Sequence, residues 1–301
     1  MVDTSDEWIV SRTGIHERRI LAPGQVPRDI ALPAAERAIR DSGLKPTDID
    51  AVLYCSYTPD HLMPSSSTAL QHALGIPSCM AIDQNSACTG FVFGLQTAWA
   101  LVRSGLAKHP LLIGADFNSR VVDYTDRNTC VLFGDGAGAV VLGAVPEGRG
   151  ILGHCAGCDG GGGPLISLKV GGAGNPVTPE NIESPDRFMR MNGREVYKFA
   201  VHAINDALER AAADAGITVS AMDLLVPHQA NERIIRSAME KFGLREDQVV
   251  INMDKYGNTS AASIPLALET AREEGRLKVG TTCGLVAFGA GLTYGATILR
   301  W

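Results

Sequence analysis

The sequence predicts an α/β fold built from two similar halves, and three internal echoes carry that prediction. The stretch DSGLKPTDIDAVLYC (41–55) returns as DAGITVSAMDLLVPH (214–228), with Asp41, Gly43, Ile49 and Asp50 matching Asp214, Gly216, Met222 and Asp223 at an offset of 214 − 41 = 173. The same offset pairs NSAC (85–88) with NTSA (258–261). FGDGAGAVVLGAV (133–145) is echoed by FGAGLTYGATILRW (288–301), each read as a glycine turn followed by a strand. Strand–helix alternation occurring twice in one order points to two packed α/β halves, 1–146 and 147–301.

Each first echo follows an amphipathic helix. In the second half Val196, Phe199, Ala200, Ala203, Ile204, Ala207, Leu208 and Ala211 recur at helical spacing. In the first half Ala31, Ala35, Ala38 and Ile39 play that part, and Pro33 requires the helix to start close by. Each helix stops at glycine and leads into a short apolar strand. Asp83–Ser86 supplies helix-start residues for an apolar helix over Thr89–Gly105. The second half opens on GILGHCAG (150–157), a strand before its helix, whereas the first half has no counterpart after Met1. The repeat therefore leads one to expect a strand and its connection, roughly 20 residues, ahead of Met1.

Composition narrows the function. The chain has 301 residues, mean hydropathy +0.05 and net charge −6, which suits a globular protein and argues against general nucleic-acid binding. Its longest apolar run, broken by Gln96 and Thr97, is too short to span a membrane, and the start carries no secretion signal. Seven cysteines, an odd number in a long chain, fit a reducing cytoplasm. Cys155 and Cys158 form a CxxC with no second pair at zinc spacing, so they read as small residues near a strand. Gly134, Gly136 and Gly138 run into a strand rather than a helix, which suits a tight turn better than a phosphate cradle. Gly160–Gly163 reads as a flexible loop.

Cys88 stands where a polar turn becomes an apolar helix. A helix N-terminus favours thiolate over thiol, and small neighbours leave room for a substrate. The alternative is a buried structural cysteine, and this stretch alone does not separate the two. His228 does: VPHQAN places it just beyond a strand, where α/β folds gather ligands. Asn258, in YGNTSAAS, holds the matching place in the second half. Cysteine with histidine is a nucleophile set.

Taken together, VDTSDEWIVSRTGI (2–15), NSACTGF (85–91), TDRNTCVLFGDGAGAVVL (125–142), VPHQAN (226–231), YGNTSAAS (256–263) and FGAGLTYG (288–295) resemble the motifs of the β-ketoacyl-acyl-carrier-protein synthase III family, in order along almost the whole chain. The resemblance implies a thiolase-like fold of duplicated halves in an α-β-α-β-α layering. It implies Cys88 as the acylated nucleophile, His228 and Asn258 completing a triad, and backbone N–H groups of Cys88 and Ala290 as the oxyanion hole. It places Trp8, Arg12 and Arg127 at a coenzyme A entrance and makes Lys198, Arg233, Arg236 and Lys241 a rim for an acidic carrier protein. Met63 and Phe91 are candidates to shape the acyl pocket. Family members usually carry the first strand that is expected ahead of Met1.

The implied reaction is decarboxylating condensation of an acyl-CoA with malonyl-acyl-carrier-protein, initiating fatty acid synthesis, in a cytoplasmic homodimer. No cofactor is implied, since acyl-CoA is a substrate. Asn258 offers a hydrogen bond but no base, which suits an enolate better than hydrolysis. A degradative thiolase would carry a second active-site cysteine near Gly289–Gly291, where there is none. A related ketosynthase or acyltransferase of specialised metabolism, or an inactive carrier-binding partner subunit, are the alternatives.

Overall fold

The computed structural model describes residues 2–301. In chain order its elements are α1 (Asp6–Thr13), α2 (Pro27–Ser42), β1 (Ala51–Cys55), α3 (Ser66–Ala73), β2 (Met80–Gln84), α4 (Gly90–Ser104), β3 (Pro110–Phe117), β4 (Asp135–Val141) and β5 (Gly150–Cys158). There follow β6 (Ile166–Ser167), β7 (Arg190–Met191), α5 (Gly193–Asp214), β8 (Leu224–Pro227), α6 (Glu232–Phe242), α7 (Met253–Tyr256), α8 (Ser263–Glu273), β9 (Thr282–Gly289) and β10 (Thr293–Arg300).

Two four-stranded sheets result, ordered β2-β1-β3-β4 and β5-β10-β9-β8. In the first, β1 is parallel to β2 and β3, and β4 runs antiparallel to β3. In the second, β8 is parallel to β9, and β10 is antiparallel to both β9 and β5. A parallel bridge from Leu225 to Val249 lies where the first sheet has β2. Apolar runs buried on both faces, such as β1, β3 and β9, are what a sheet covered on each side requires.

The layers follow from who packs on whom. Phe91, Val92 and Ile264 from α4 and α8 share one core with Leu53 of the first sheet and Leu224 and Leu285 of the second. Ala31, Ala35 and Leu70 of α2 and α3 cover the other face of the first sheet, while Ala200, Ile204 and Ile235 of α5 and α6 cover that of the second. This is the α-β-α-β-α layering of the thiolase-like fold.

The 173-residue echo has a physical cause. Asp50 accepts the amides of Lys108 (2.6 Å) and His109 (2.9 Å) at the start of β3. Asp223, its match, accepts the Thr282 amide (2.8 Å) at the start of β9. Each aspartate, directly ahead of its own strand, ties the start of that strand to the start of its parallel neighbour.

Several local readings change. Pro33 lies well inside α2, which begins at Pro27, so its ring is accommodated in mid-helix. The helix expected from Thr89 starts at Gly90, after a 3₁₀ turn over Ala87–Thr89. Gly136 and Gly138 sit within β4 itself, paired with β3, rather than in a turn, and a Cβ on Gly138 would stand 2.7 Å from Pro265. Gly160–Gly163 open a 3₁₀ helix, Gly160–Leu165, capped by the Asp159 side chain. Cys155 is buried and Cys158 exposed on β5, since an offset of three alternates faces along a strand. The strand expected ahead of Met1 lies outside the described residues; among these, β4 has a neighbour on one side only. No helix among them is long and apolar enough to cross a membrane.

Candidate active site

The site is built from matching turns in the two halves. Before Cys88 the backbone bends through Ala87 at φ 45°, and 173 residues later it bends through Ser260 at φ 52°. Each bend leads through a 3₁₀ turn into a central helix, α4 or α8. A side chain rarely adopts this backbone conformation, and two such residues at matched positions mark a shared constraint.

A cavity of about 580 Å³ opens over Cys88, with His228, Asn258 and Ala290 in its wall. Ile166, Leu168, Met189, Met191, Val196 and Tyr197 give it an apolar body. Phe91 is fully buried in the core and Met63 is 87% exposed, so neither of these candidates shapes it. The methionines on the segment before α5 and on β7 do, and their long irregular loop gave the sequence no periodic signal.

Cys88 behaves differently from the sequence expectation. Burial pushes its thiol up to about 12, outweighing the help of its own backbone N–H and of Ser260. Desolvation outweighs the favourable end of the helix that follows. The resting group is the thiol. Next to it, β9 ends against Cys88 itself: a Cβ on Gly289 would lie 2.9 Å from the Cys88 nitrogen. Glycine there brings Ala290 beside Cys88 in the cavity wall.

His228 follows β8 and is 1% exposed. Its Nδ1 lies 2.6 Å from Ser263 Oγ, at the first turn of α8, and its ring meets Phe288 edge-on at 5.5 Å. Burial lowers its pKa to about 3, so the imidazole is neutral at any working pH. Nδ1 is thus engaged by Ser263, and Nε2 is left for the cavity. Asn258 is 6% exposed, and its Oδ1 accepts the Ser260 N–H at 2.9 Å. Its amide NH₂ remains to donate. A neutral imidazole and a neutral amide thus share the cavity with one thiol.

Trp8 on α1 is flanked by Arg12 and Arg127, each guanidinium carbon 4.8 Å from the indole centroid. Arg127 also donates to the Asp3 carbonyl at 3.0 Å. The basic rim is more subdued. Lys198 pairs with Glu195 (2.8 Å), Arg236 with Glu232 (2.6 Å) and Glu246 (2.7 Å), and Lys241 with Glu209 (2.8 Å). Arg233 donates to the Ser11 carbonyl at 2.8 Å, tying α6 to α1.

Family models described as 3-oxoacyl-[acyl-carrier-protein] synthase III match residues 82–160, and its C-terminal part matches residues 212–301. A β-ketoacyl-[acyl-carrier-protein] synthase III of Caldanaerobacter subterraneus subsp. tengcongensis is 46% identical, covering 100% of this chain and 91% of the relative. The chain belongs to the β-ketoacyl-[acyl-carrier-protein] synthase III family. The solved synthase III of Thermus thermophilus superposes with a TM-score of 0.93 at 44% identity, covering 100% of this chain and 92% of that one. That of Aquifex aeolicus gives 0.92 at 40%, with the same coverage. The priming β-ketosynthase of the R1128 polyketide pathway gives 0.91 at 33%, covering 99% and 89%. Membership makes the chain an acyl-transferring condensing enzyme of the thiolase fold.

Several residues around the site escaped the sequence reading. Tyr57 lines the cavity and Ser263 orients His228. Asp116 is wholly buried near the end of β3. A lone acid closing the apolar run PLLIGADF was a visible signal, because an unpaired carboxylate is rarely buried without purpose.

Proposed function

We propose that the chain condenses an acyl-CoA starter with malonyl-acyl-carrier-protein, through an acyl-enzyme on Cys88, to give a 3-oxoacyl-acyl-carrier-protein that starts fatty acid synthesis. The observation that carries the assignment of roles is the pairing of one half-buried thiol with a buried, neutral imidazole and a buried amide in the wall of one cavity. Cys88 attacks the starter thioester, while the N–H groups of Cys88 and Ala290 receive the oxyanion. The acyl chain lies in the apolar cavity, and the coenzyme's adenine and phosphates meet Trp8, Arg12 and Arg127.

In the second half-reaction the malonyl group loses carbon dioxide and its carbonyl oxygen gains negative charge. His228 and Asn258 donate to that oxygen. Neutral donors serve this better than a base would, since nothing is to be deprotonated. The enolate carbon then attacks the acyl group and frees Cys88. The chemistry needs no cofactor. Arg233, free of a carboxylate partner, is the leading carrier contact on the rim, with Lys198, Arg236 and Lys241 behind it. Greater identity to synthases III than to the priming ketosynthase places fatty acid initiation ahead of specialised metabolism.

The molecule works as a homodimer in this reading, joined through the first half. Edge strand β2 exposes Met80 (43%) and Ile82 (39%), and Leu62 nearby is 91% exposed. An open apolar edge of this kind suits pairing with a second copy.

Incubation with acetyl-CoA followed by intact-mass measurement tests the central step. One added acetyl group is expected, and none in Cys88→Ala. Acetylation that persists in that variant would overturn the assignment.

A further inference from the structure

One wall of the cavity over Cys88 comes from an irregular segment of the second half, where Met189 and Met191 line it beside Ile166 and Leu168. Methionine is unbranched and has three rotatable bonds, so these side chains alone would set only a soft limit on what the cavity accepts. The ribbon that carries them, β6 with β7, pairs through two residues on each strand. So short a ribbon does not hold its own position in water.

Arg190 lies between the two methionines in sequence and does not line the cavity. Neighbours along an extended chain point to opposite faces. Its guanidinium meets the connection between β3 and β4, in the first half. Nη2 donates to Asp123 Oδ2 at 3.1 Å, Nη1 to Asp126 Oδ2 at 3.3 Å, and Nε to the Pro185 carbonyl at 3.0 Å. A planar fork can span two carboxylates in this way, where a point charge cannot.

The other oxygen of each carboxylate is occupied too. Asp123 Oδ1 accepts from Thr125 N (2.9 Å) and Oγ1 (2.6 Å), and Asp126 Oδ1 accepts from Asn128 N and Nδ2, each at 3.0 Å. Asn128 itself lines the cavity. The Met189 N–H donates to the Val121 carbonyl at 2.7 Å, and the Met189 side chain packs with Val122 and Phe133 in a small cluster. The wall thus hangs on the first half. Shielding sets this network apart: the side chains of Arg190, Asp123 and Asp126 are 28%, 14% and 18% exposed. Every other ion pair among the described residues has at least one side chain 41% exposed or more, where solvent weakens the attraction.

We infer that Asp123, Arg190 and Asp126 form a clamp that fixes the backbone of the methionine wall and thereby sets the upper length of the acyl group loaded from acyl-CoA. This rests on the reading of Cys88 as the acylated nucleophile and of the cavity as the seat of the acyl chain. Arg190 is a positioning residue, acting through Met189 and Met191. With the clamp released, the segment samples positions farther from Cys88. A long chain gains the added room. An acetyl group gains nothing, since it extends only one carbon beyond the thioester.

Competition loading tests the clamp. The protein is mixed with equal concentrations of acetyl-CoA and octanoyl-CoA and quenched early, and the two acyl-enzymes are counted by intact mass. The wild type should carry mainly acetyl. Arg190→Gln should raise the octanoyl-to-acetyl ratio by about tenfold, the low end of what fitting or rejecting one methylene is worth. Arg190→Lys keeps the charge but not the fork, and should shift the ratio the same way by less. Asp123→Asn keeps Oδ1 for Thr125 and turns an amide toward Arg190; it should raise the ratio as well, and it decides if Arg190→Gln does not fold. Loss of folded protein lowers both products alike and leaves the ratio untouched. A ratio that is unchanged or lowered in these variants would refute the clamp, as would a wild type that already prefers octanoyl. Hydrogen exchange at the Met189 amide gives a reading independent of the chemistry. It should quicken about tenfold or more in Arg190→Gln, and an unchanged rate would also refute the clamp. A wild type that takes up no acyl group would overturn the nucleophile reading instead, and the exchange rate would then judge the clamp.

Discussion

The turn Asn85-Ser86-Ala87-Cys88 and the turn Asn258-Thr259-Ser260-Ala261 share one backbone and differ in chemistry. Both bend through a positive φ and both lead into a central helix. In each, the asparagine Oδ1 accepts an amide two residues on: Ala87 N at 3.3 Å in the first, Ser260 N at 2.9 Å in the second. One copy carries a thiol, the other an amide and a hydroxyl. The fold supplies two equivalent seats, and function depends on what occupies each.

Asn85 and Asn258 sharpen that contrast most. Asn258→Ala should cut carbon dioxide release from malonyl-carrier-protein by about 10² to 10³, the usual effect of losing one donor to a developing oxyanion. Acetylation of Cys88 should survive. Asn85→Ala, at an exposed position, should change either step little. Equal losses from both variants would show that the asparagines only shape their turns.

The sheet edges differ as well. β2 leaves Met80 and Ile82 exposed, while Val249, at the matching edge of the second sheet, is 3% exposed. Ile82→Glu should therefore weaken self-association at least about tenfold in sedimentation equilibrium, because a charge would be buried in the contact. An unchanged dimer would place the interface elsewhere.

The smallest effect concerns the paired aspartates. Asp50→Ala loses two amide bonds and Asp223→Ala one, so denaturant unfolding should show about 1–3 kcal/mol lost for the first and about 1 kcal/mol for the second. The reverse order would mean that the echo has another cause.

Much of this was legible in the sequence because it is local or repeated. The duplication showed through Asp50 and Asp223, whose carboxylates do one job twice. Cys88, His228 and Asn258 stood out because reactive or polar groups interrupt apolar context at strand ends and helix starts. What stayed hidden depends on distance across the fold. Burial of Cys88, which reverses the expected thiolate preference, comes from packing against β9 and the second-half bend. The acyl cavity is lined from the irregular segments around β6 and β7, where no periodicity marks Met189 or Met191. The ion pair of Lys241 with Glu209 joins residues far apart in sequence, whereas the partners of Lys198 and Arg236 lie within ten residues of them.

The depth at which His228 is held has a physiological meaning. Its neutral state persists down to about pH 3, so a hydrogen bond made by the His228 ring inside the cavity would be insensitive to mild acidification.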